Sequence, residues 1–351
     1  MDITKLIRKN ILNLKPYTSA RDLYNNPNFV LLDANENNFG STFDEIPGLE
    51  LNRYPDPRQN EMRELIADTF GLKKEQLFFG VGSDEIIDLL IRIFCEPGKD
   101  SVIIPEPTFG MYEVFCDIND IETRSICLND EFQLDIKAIK KSFDKNTKII
   151  FLCSPNNPIG NLLKREDVLS LCKSINSLVI VDEAYIEFTG DLSLAEEVKN
   201  YTNLVVLRTF SKAWGLAGIR LGYSVSDPEI TDYLFKVKSP CNINTLTRYA
   251  IKKAFQNSEI KNEYVAVTIK ERAELINQLE SLSGILKVYP SDANFLLVKV
   301  ENAKKLQQSL AEKGIIVRDR SSQLMLENCV RISIGTKEEN IQLLQAIKEI
   351  V

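Results

Sequence analysis

Five short runs limit what this chain can fold into: SVIIP (101–105), ETRSICL (122–128), KIIFLC (148–153), LVIVD (178–182) and LVVLR (204–208). They are short, apolar and rich in β-branched residues, the pattern of parallel strands buried on both faces. Helix-period segments lie between several of them, for example 165–176. Alternation of this kind predicts right-handed crossovers and a doubly wound α/β sheet. LFFG (77–80) and FVLL (29–32) read as further strands, and 61–70 as a helix. Beyond about Asp227 the texture changes. A helical region over 245–282 precedes ILKVYP, ANFLLVKV, a helix over 303–313, GIIVRDR, VRISIG and a closing helix from Lys337. These predict a second, smaller α+β unit.

Chemistry collects where the strands end. KIIFLC leads to Asn157, LVIVD ends on Asp182, and LVVLR leads within four residues to Lys212. Open α/β sheets bind ligands outside the carboxyl ends of their strands, so these three share one edge. Each alone is an ordinary turn or surface residue. Together with Tyr185 and Arg220 they suit a pyridinium ring bearing a phosphate. A carboxylate can pair with the ring nitrogen, a phenol with the ring oxygen, an amine with an aldehyde and a guanidinium with the phosphate. Those are the partners that pyridoxal phosphate requires. GVGSDE (80–85) opens a helix, with Gly82 allowing close backbone approach and Ser83 placed as N-cap. Such a helix start can hold an anion. Asp84 and Glu85 already satisfy the dipole in its first turn, so an ordinary capped helix remains open.

Composition removes other classes. Of 351 residues 44% are apolar, enough for a sizeable core, and the net charge of −7 argues against a nucleic-acid partner. No apolar run reaches the ~18 residues of a membrane span. The first residues, MDITKLIRKNILNLKPY, lack a secretory apolar stretch. Ile3, Leu6, Ile7, Ile11 and Leu14 instead fall at helical spacing, predicting an arm packed on the body or on a second subunit. Seven scattered cysteines without a Cys-x-x-Cys pair predict reduced thiols in a cytoplasm and no metal site. The chain has no histidine, so proton transfer falls to lysine, tyrosine or a carboxylate.

LKPYTSAR, LDANEN, LNRYPDP, GVGSDEIIDLLIRIFCEPGKD, PEPTFGMYEVF, CSPNNPIG, VDEAYIEF, LRTFSKAWGLAGIRLGY, GIIVRDR and CVRISIGTKEEN span nearly the whole chain. These stretches resemble the pyridoxal-phosphate aminotransferases of fold type I, class II, and among them look most like the histidinol-phosphate aminotransferases. The resemblance implies a large domain over 31–255, with a mostly parallel sheet in an α/β/α sandwich. An arm over 1–30 precedes it, and a smaller α+β domain over 256–351 is completed by part of that arm. It implies that Lys212 carries the Schiff base to pyridoxal 5'-phosphate and then serves as general base and acid. A free lysine titrates near ~10.4, so the site must depress it, through burial and Arg220 nearby. Asp182 is implied to pair with the ring nitrogen, and Asn157 and Tyr185 to hold the ring oxygen. Phe109 would stack on the ring. The phosphate would lie against the amides of Ser83 and Asp84, with Ser211, Arg220 and Tyr54. In relatives that tyrosine comes from a second subunit, so a homodimer is implied.

On the substrate side the resemblance implies Arg331, assisted by Arg318, for the anionic group, and Tyr17, Asn35 and Glu36 along an imidazole. The implied reaction is L-histidinol phosphate plus 2-oxoglutarate to imidazole acetol phosphate plus L-glutamate, in histidine biosynthesis. A broad aromatic-amino-acid aminotransferase or a phosphothreonine decarboxylase on the same scaffold stays open. Three positions depart from the pattern. Phe109 stands where tyrosine is usual and Ile159 where threonine is usual. Cys241 stands where an aromatic is common beside the substrate pocket.

Overall fold

The apolar runs become strands. The computed structural model describes residues 2–14, 46, 49–190 and 192–350. Its first sheet contains β1 (Leu77–Val81), β2 (Ser101–Glu106), β3 (Glu122–Cys127), β4 (Thr147–Cys153), β5 (Leu178–Asp182), β6 (Leu204–Thr209) and β7 (Leu221–Val225). Their order is β1-β7-β6-β5-β4-β2-β3. Strands β2 to β6 run parallel. β7 runs antiparallel to both its neighbours, β1 and β6. Hydrophobic pattern does not reveal β7, because LGYSV mixes small, polar and apolar residues and contains a glycine that weakens strand propensity. FVLL lies outside the described residues.

Successive side chains on a strand point to opposite faces, and here both faces are dry. Ile150, Leu152, Val179, Val181, Leu204 and Val206 enter one core. Ile149, Phe151, Leu178, Ile180, Val205 and Leu207 enter the other. β3 corrects the expectation of double burial, since its residues are exposed or half-buried. It is an edge strand, and Arg124 pairs there with Glu122 and Asp144. Charges on an edge discourage further strand pairing.

The helices are α1 (Lys9–Leu12), α2 (Asn60–Phe70), α3 (Gly82–Phe94), α4 (Met111–Ile118), α5 (Ile136–Ser142), α6 (Arg165–Ser174), α7 (Pro228–Val237), α8 (Thr245–Gln256), α9 (Ser258–Glu280), α10 (Ala303–Glu312) and α11 (Lys337–Ile350). α2, α5 and α6 cover the first core, while α3, α4 and α7 cover the second. Ile3, Leu6, Ile7 and Ile11 of the arm enter that second core as well. The arm is a 3-10 turn followed by the single turn of α1, not one continuous helix, and Leu14 is exposed. The helical region over 245–282 is two helices parted at Asn257. Asn244 caps α8 by accepting from the Thr247 amide at 2.8 Å.

A second sheet holds β8 (Ile285–Val288), β9 (Phe295–Val300), β10 (Arg318–Asp319) and β11 (Cys329–Ser333), in the order β10-β11-β9-β8 and antiparallel throughout. Leu275, Leu279, Leu296, Val298, Leu306 and Leu344 form its core under α9, α10 and α11. A small cluster of Ala184, Tyr185, Phe188, Ala213, Ala293 and Phe295 joins the two sheets beside the carboxyl ends of β5 and β6.

Candidate active site

Three neighbouring strands deliver three side chains to one cavity. β4, β5 and β6 lie side by side, and Asn157, Asp182 and Lys212 follow or end them. All three line a cavity of about 660 Å³, counting the space open to solvent, together with Phe109, Tyr185 and Ser211.

One end of the cavity is built from backbone. β1 stops at Val81 and α3 starts at Gly82, whose φ of +73° favours glycine. Val81 is therefore the N-cap, and Ser83 sits inside the first turn, contrary to expectation. The amides of a first helical turn have no acceptor within the helix. That of Gly82 donates to the Arg220 carbonyl at 3.0 Å. Arg220 is delivered there because β7, which begins one residue later, pairs Leu221 with Val81. Its guanidinium reaches Asp84 at 3.5 Å, with both groups partly exposed. A Cβ on Gly222 would stand 2.4 Å from the Ser83 amide nitrogen and 2.7 Å from the Gly82 carbonyl carbon. Only glycine lets β7 pass this close to the helix start. On the same side the Thr209 hydroxyl lies 3.0 Å from that of Ser211.

The opposite end centres on Asp182, which is almost wholly buried. Its Oδ2 accepts from the Tyr112 hydroxyl at 2.9 Å, and its Oδ1 accepts from the Ala184 amide at 3.1 Å. Burial pushes its carboxyl up to about 6, against the hydrogen bonds from Tyr112 and Ala184, which favour the ion. Tyr112 stacks on Phe151 at 4.8 Å and meets the edge of Phe109 at 5.5 Å.

Lys212 lies in the open mouth of the cavity, with its Nζ 5.5 Å from the Tyr185 ring centre. Solvent reaches it, yet the surrounding protein still displaces enough water to lower its pKa. Arg331 lowers it next, Asp182 and Asp84 oppose, and Arg220 contributes least of these. The cation that matters most is thus Arg331, not Arg220. Beside it the Asn157 amide donates to the Tyr185 hydroxyl at 3.4 Å. Burial raises that phenol well above its ordinary range.

Arg331 brings the second sheet into the site. It leaves β11, passes 5.3 Å from the Phe295 ring and donates to Asn157 Oδ1 at 2.5 Å. Arg318 faces it in register across β10 and β11 and is exposed. Arg320, two residues on, carries a buried Nε without a partner among the described residues. Burial, Arg331 and Arg318 push its pKa down to about 10. Alternation along GIIVRDR could have flagged Arg320 together with Arg318. Tyr112 lies three residues beyond Phe109, but no local pattern ties it to Asp182.

Some expected residues lie elsewhere. Tyr54 is 59% exposed and lines a separate pocket with Glu61, Arg248 and Tyr249. Cys241 is near it, donating its thiol to the Pro55 carbonyl at 3.4 Å, and does not line the cavity. Ile159 is buried in the first core. Tyr17, Asn35 and Glu36 lie outside the described residues.

The profile of a protein family described as "Aminotransferase class I and II" matches residues 28–347. The chain belongs to the class I and II aminotransferases. Within that family it is 47% identical over 351 residues to the histidinol-phosphate aminotransferase of Christiangramia forsetii, covering 99% of this chain and 98% of that one. The enzyme of the same name from Cytophaga hutchinsonii is 45% identical over 346 residues, with the same coverage. The crystal structure of the histidinol-phosphate aminotransferase from Clostridium acetobutylicum superposes with a TM-score of 0.79 at 28% identity, over 86% of this chain and 91% of that one. This aminotransferase therefore has the fold type I architecture, an α/β sheet that is mostly parallel, with the reversed β7 inserted between β6 and β1.

Proposed function

We propose that this chain transfers the amino group of L-histidinol phosphate to 2-oxoglutarate, giving imidazole acetol phosphate and L-glutamate, as a step of histidine biosynthesis with pyridoxal 5'-phosphate as cofactor. The observation that carries the reading is a lysine and a buried carboxylate lining one cavity, in a chain 42–47% identical to enzymes of that name over 98–99% of their length. The donor set fits the cofactor. A carboxylate already freed of water suits a cationic ring nitrogen, and the open amides at the start of α3 beside Arg220 suit a phosphate. When bound, pyridoxal phosphate supplies an aldehyde to capture an amine and a ring that withdraws electrons from the neighbouring carbon.

The residues divide the remaining work. Lys212 would hold the cofactor's aldehyde through Nζ and, when freed, would serve as the base and acid that moves a proton between the substrate carbon and the former aldehyde carbon. That requires an uncharged amine, which burial and Arg331 favour. Asp182 would keep the ring nitrogen protonated, Phe109 would pack against the ring, and Asn157 with Tyr185 would hold the ring oxygen. The backbone amides of Ser83 and Asp84, with Ser211 and Arg220, would grip the phosphate. Arg331 and Arg318 hold the substrate's phosphate in one half of the cycle and a carboxylate of glutamate in the other, since a guanidinium fork matches both.

We further propose a homodimer in the cytoplasm, with Tyr54 completing the partner's phosphate site and Tyr17, Asn35 and Glu36 closing the imidazole side. The exposure of Tyr54 supports the first part, and seven free cysteines support a reducing compartment. Among the described residues, no helix is long and apolar enough to cross a membrane. The test is a half-reaction. Holoenzyme mixed with histidinol phosphate should change the cofactor's visible absorption and release imidazole acetol phosphate. Phenylalanine and O-phosphothreonine should do so far more slowly. Preference for either of them would reject the substrate assignment.

A further inference from the structure

Tyr112 is fully buried and makes one polar contact to a charged group. Its ring is clamped face to face on Phe151, with an interplanar angle of 4°, and edge-on by Phe109. The hydroxyl, its only polar side-chain atom, donates to Asp182 Oδ2 at 2.9 Å. An ionised carboxylate can only accept hydrogen bonds, so a fixed donor at this distance favours the ion and holds the plane of its oxygens. Burial raises the phenol well above its ordinary range, so it stays protonated and remains a donor at physiological pH.

We propose that Tyr112 is a positioning residue that keeps Asp182 ionised and oriented, and so sets how firmly the chain holds a protonated pyridine nitrogen. The inference rests on the cofactor assignment above and adds a residue which that assignment did not include. Asp182 is faced from several sides. Tyr112 comes from α4, the Ala184 amide from the turn after β5, Lys212 from beyond β6, and Asp84 from the first turn of α3. Cys153 ends β4 beside it, and burial keeps that thiol protonated. Burial and Asp84 oppose the ion, while Tyr112, Ala184 and Lys212 support it. Of the supporting groups Tyr112 acts most strongly, and its aromatic clamp holds the hydroxyl against Asp182, with the Cys153 thiol as its other neighbour.

Y112F removes one oxygen and preserves the stack. The affinity of cofactor-stripped protein would be measured by equilibrium dialysis from pH 6 to 8.5. The two ligands are pyridoxal phosphate and its 1-deaza analogue, in which CH replaces the ring nitrogen. The variant should lose about tenfold in affinity for pyridoxal phosphate near pH 7, the scale of one hydrogen bond to a charged group. The loss should grow as pH falls, because Asp182 is then protonated earlier. Affinity for the analogue should stay within about twofold of wild type. In a D182N background the same change should have no effect on either ligand. Equal losses for both ligands would reduce Tyr112 to packing and overturn the proposal, as would an unchanged affinity for pyridoxal phosphate. Should Y112F fail to fold, 3-fluorotyrosine at position 112 keeps the ring and strengthens the donor. The pH midpoint of affinity must then move down, and an unmoved midpoint overturns the proposal. Wild-type protein that binds neither ligand would overturn the cofactor assignment and this inference together, whereas normal wild-type binding with an indifferent variant overturns this inference alone.

Discussion

Lys212 and Arg331 are coupled through space. In K212A the cofactor should no longer become fixed to the chain on borohydride reduction, and turnover should fall by more than about 100-fold, since general acid–base work alone is worth that much. Normal turnover in that variant would end the mechanism. The coupling makes R331A more informative. Arg331 holds Asn157 Oδ1 and helps depress the Lys212 pKa. Truncation should therefore raise KM for histidinol phosphate and for 2-oxoglutarate, because one anion site serves both. It should also move the acidic limb of the pH–rate profile to higher pH. Without the neighbouring cation the amine holds its proton more tightly, and the uncharged form appears only at higher pH. Steady-state kinetics across pH would check both effects. An R331A limb at the wild-type pH would disconnect the two residues, and an unchanged KM for either substrate would divide the anion site.

Elements explain which parts of this site can be read from sequence. KIIFLC, LVIVD and LVVLR announce strands through continuous apolar character, and the residues just beyond such strands fall at one sheet edge. Asn157, Asp182 and Lys212 are legible for that reason, and the relatives supply the family to which the pattern belongs. β7 is not legible, because its stability comes from two neighbours rather than from its own residues. The start of α3 is easily misplaced, since Ser83 looks like a cap in sequence while Gly82 already adopts the turn. The bond from Tyr112 to Asp182 spans 70 positions, and Arg331 to Asn157 spans 174, so neither leaves a local trace. β7 also yields a prediction. In G222A the new methyl would meet backbone atoms of Gly82 and Ser83, which cannot rotate away. The variant should lose about 1–3 kcal/mol of stability, as overpacked sites do. It should also bind pyridoxal phosphate more weakly while binding pyridoxal as before, because the damage falls on the phosphate end. G218A is the control, since a Cβ there meets nothing within 4 Å. Thermal denaturation and paired affinity measurements would decide, and equal weakening for both ligands would detach α3 from phosphate binding.

Across the whole molecule, charge and assembly pull in opposite directions. The chain carries a net −7, yet Lys212, Arg220, Arg318, Arg320 and Arg331 gather around the site and its flank on the second sheet. Anionic substrates are thus drawn to a local field rather than to the surface as a whole. Tyr54, proposed above to complete the partner's phosphate site, lines a separate pocket within its own chain and is not among the residues of the cavity. That assignment makes a prediction no single-chain arrangement shares. K212A and Y54A should each be weak alone. Denatured together and refolded, they form hybrid dimers in which one site receives Lys212 from the Y54A chain and the tyrosine from the K212A chain. That site is intact and the other carries both lesions. Activity should therefore rise well above the mean of the two parents, with a cofactor spectrum like that of wild type in the recovered fraction. If Tyr54 served its own chain, every site in the mixture would keep one lesion and activity would stay at the mean.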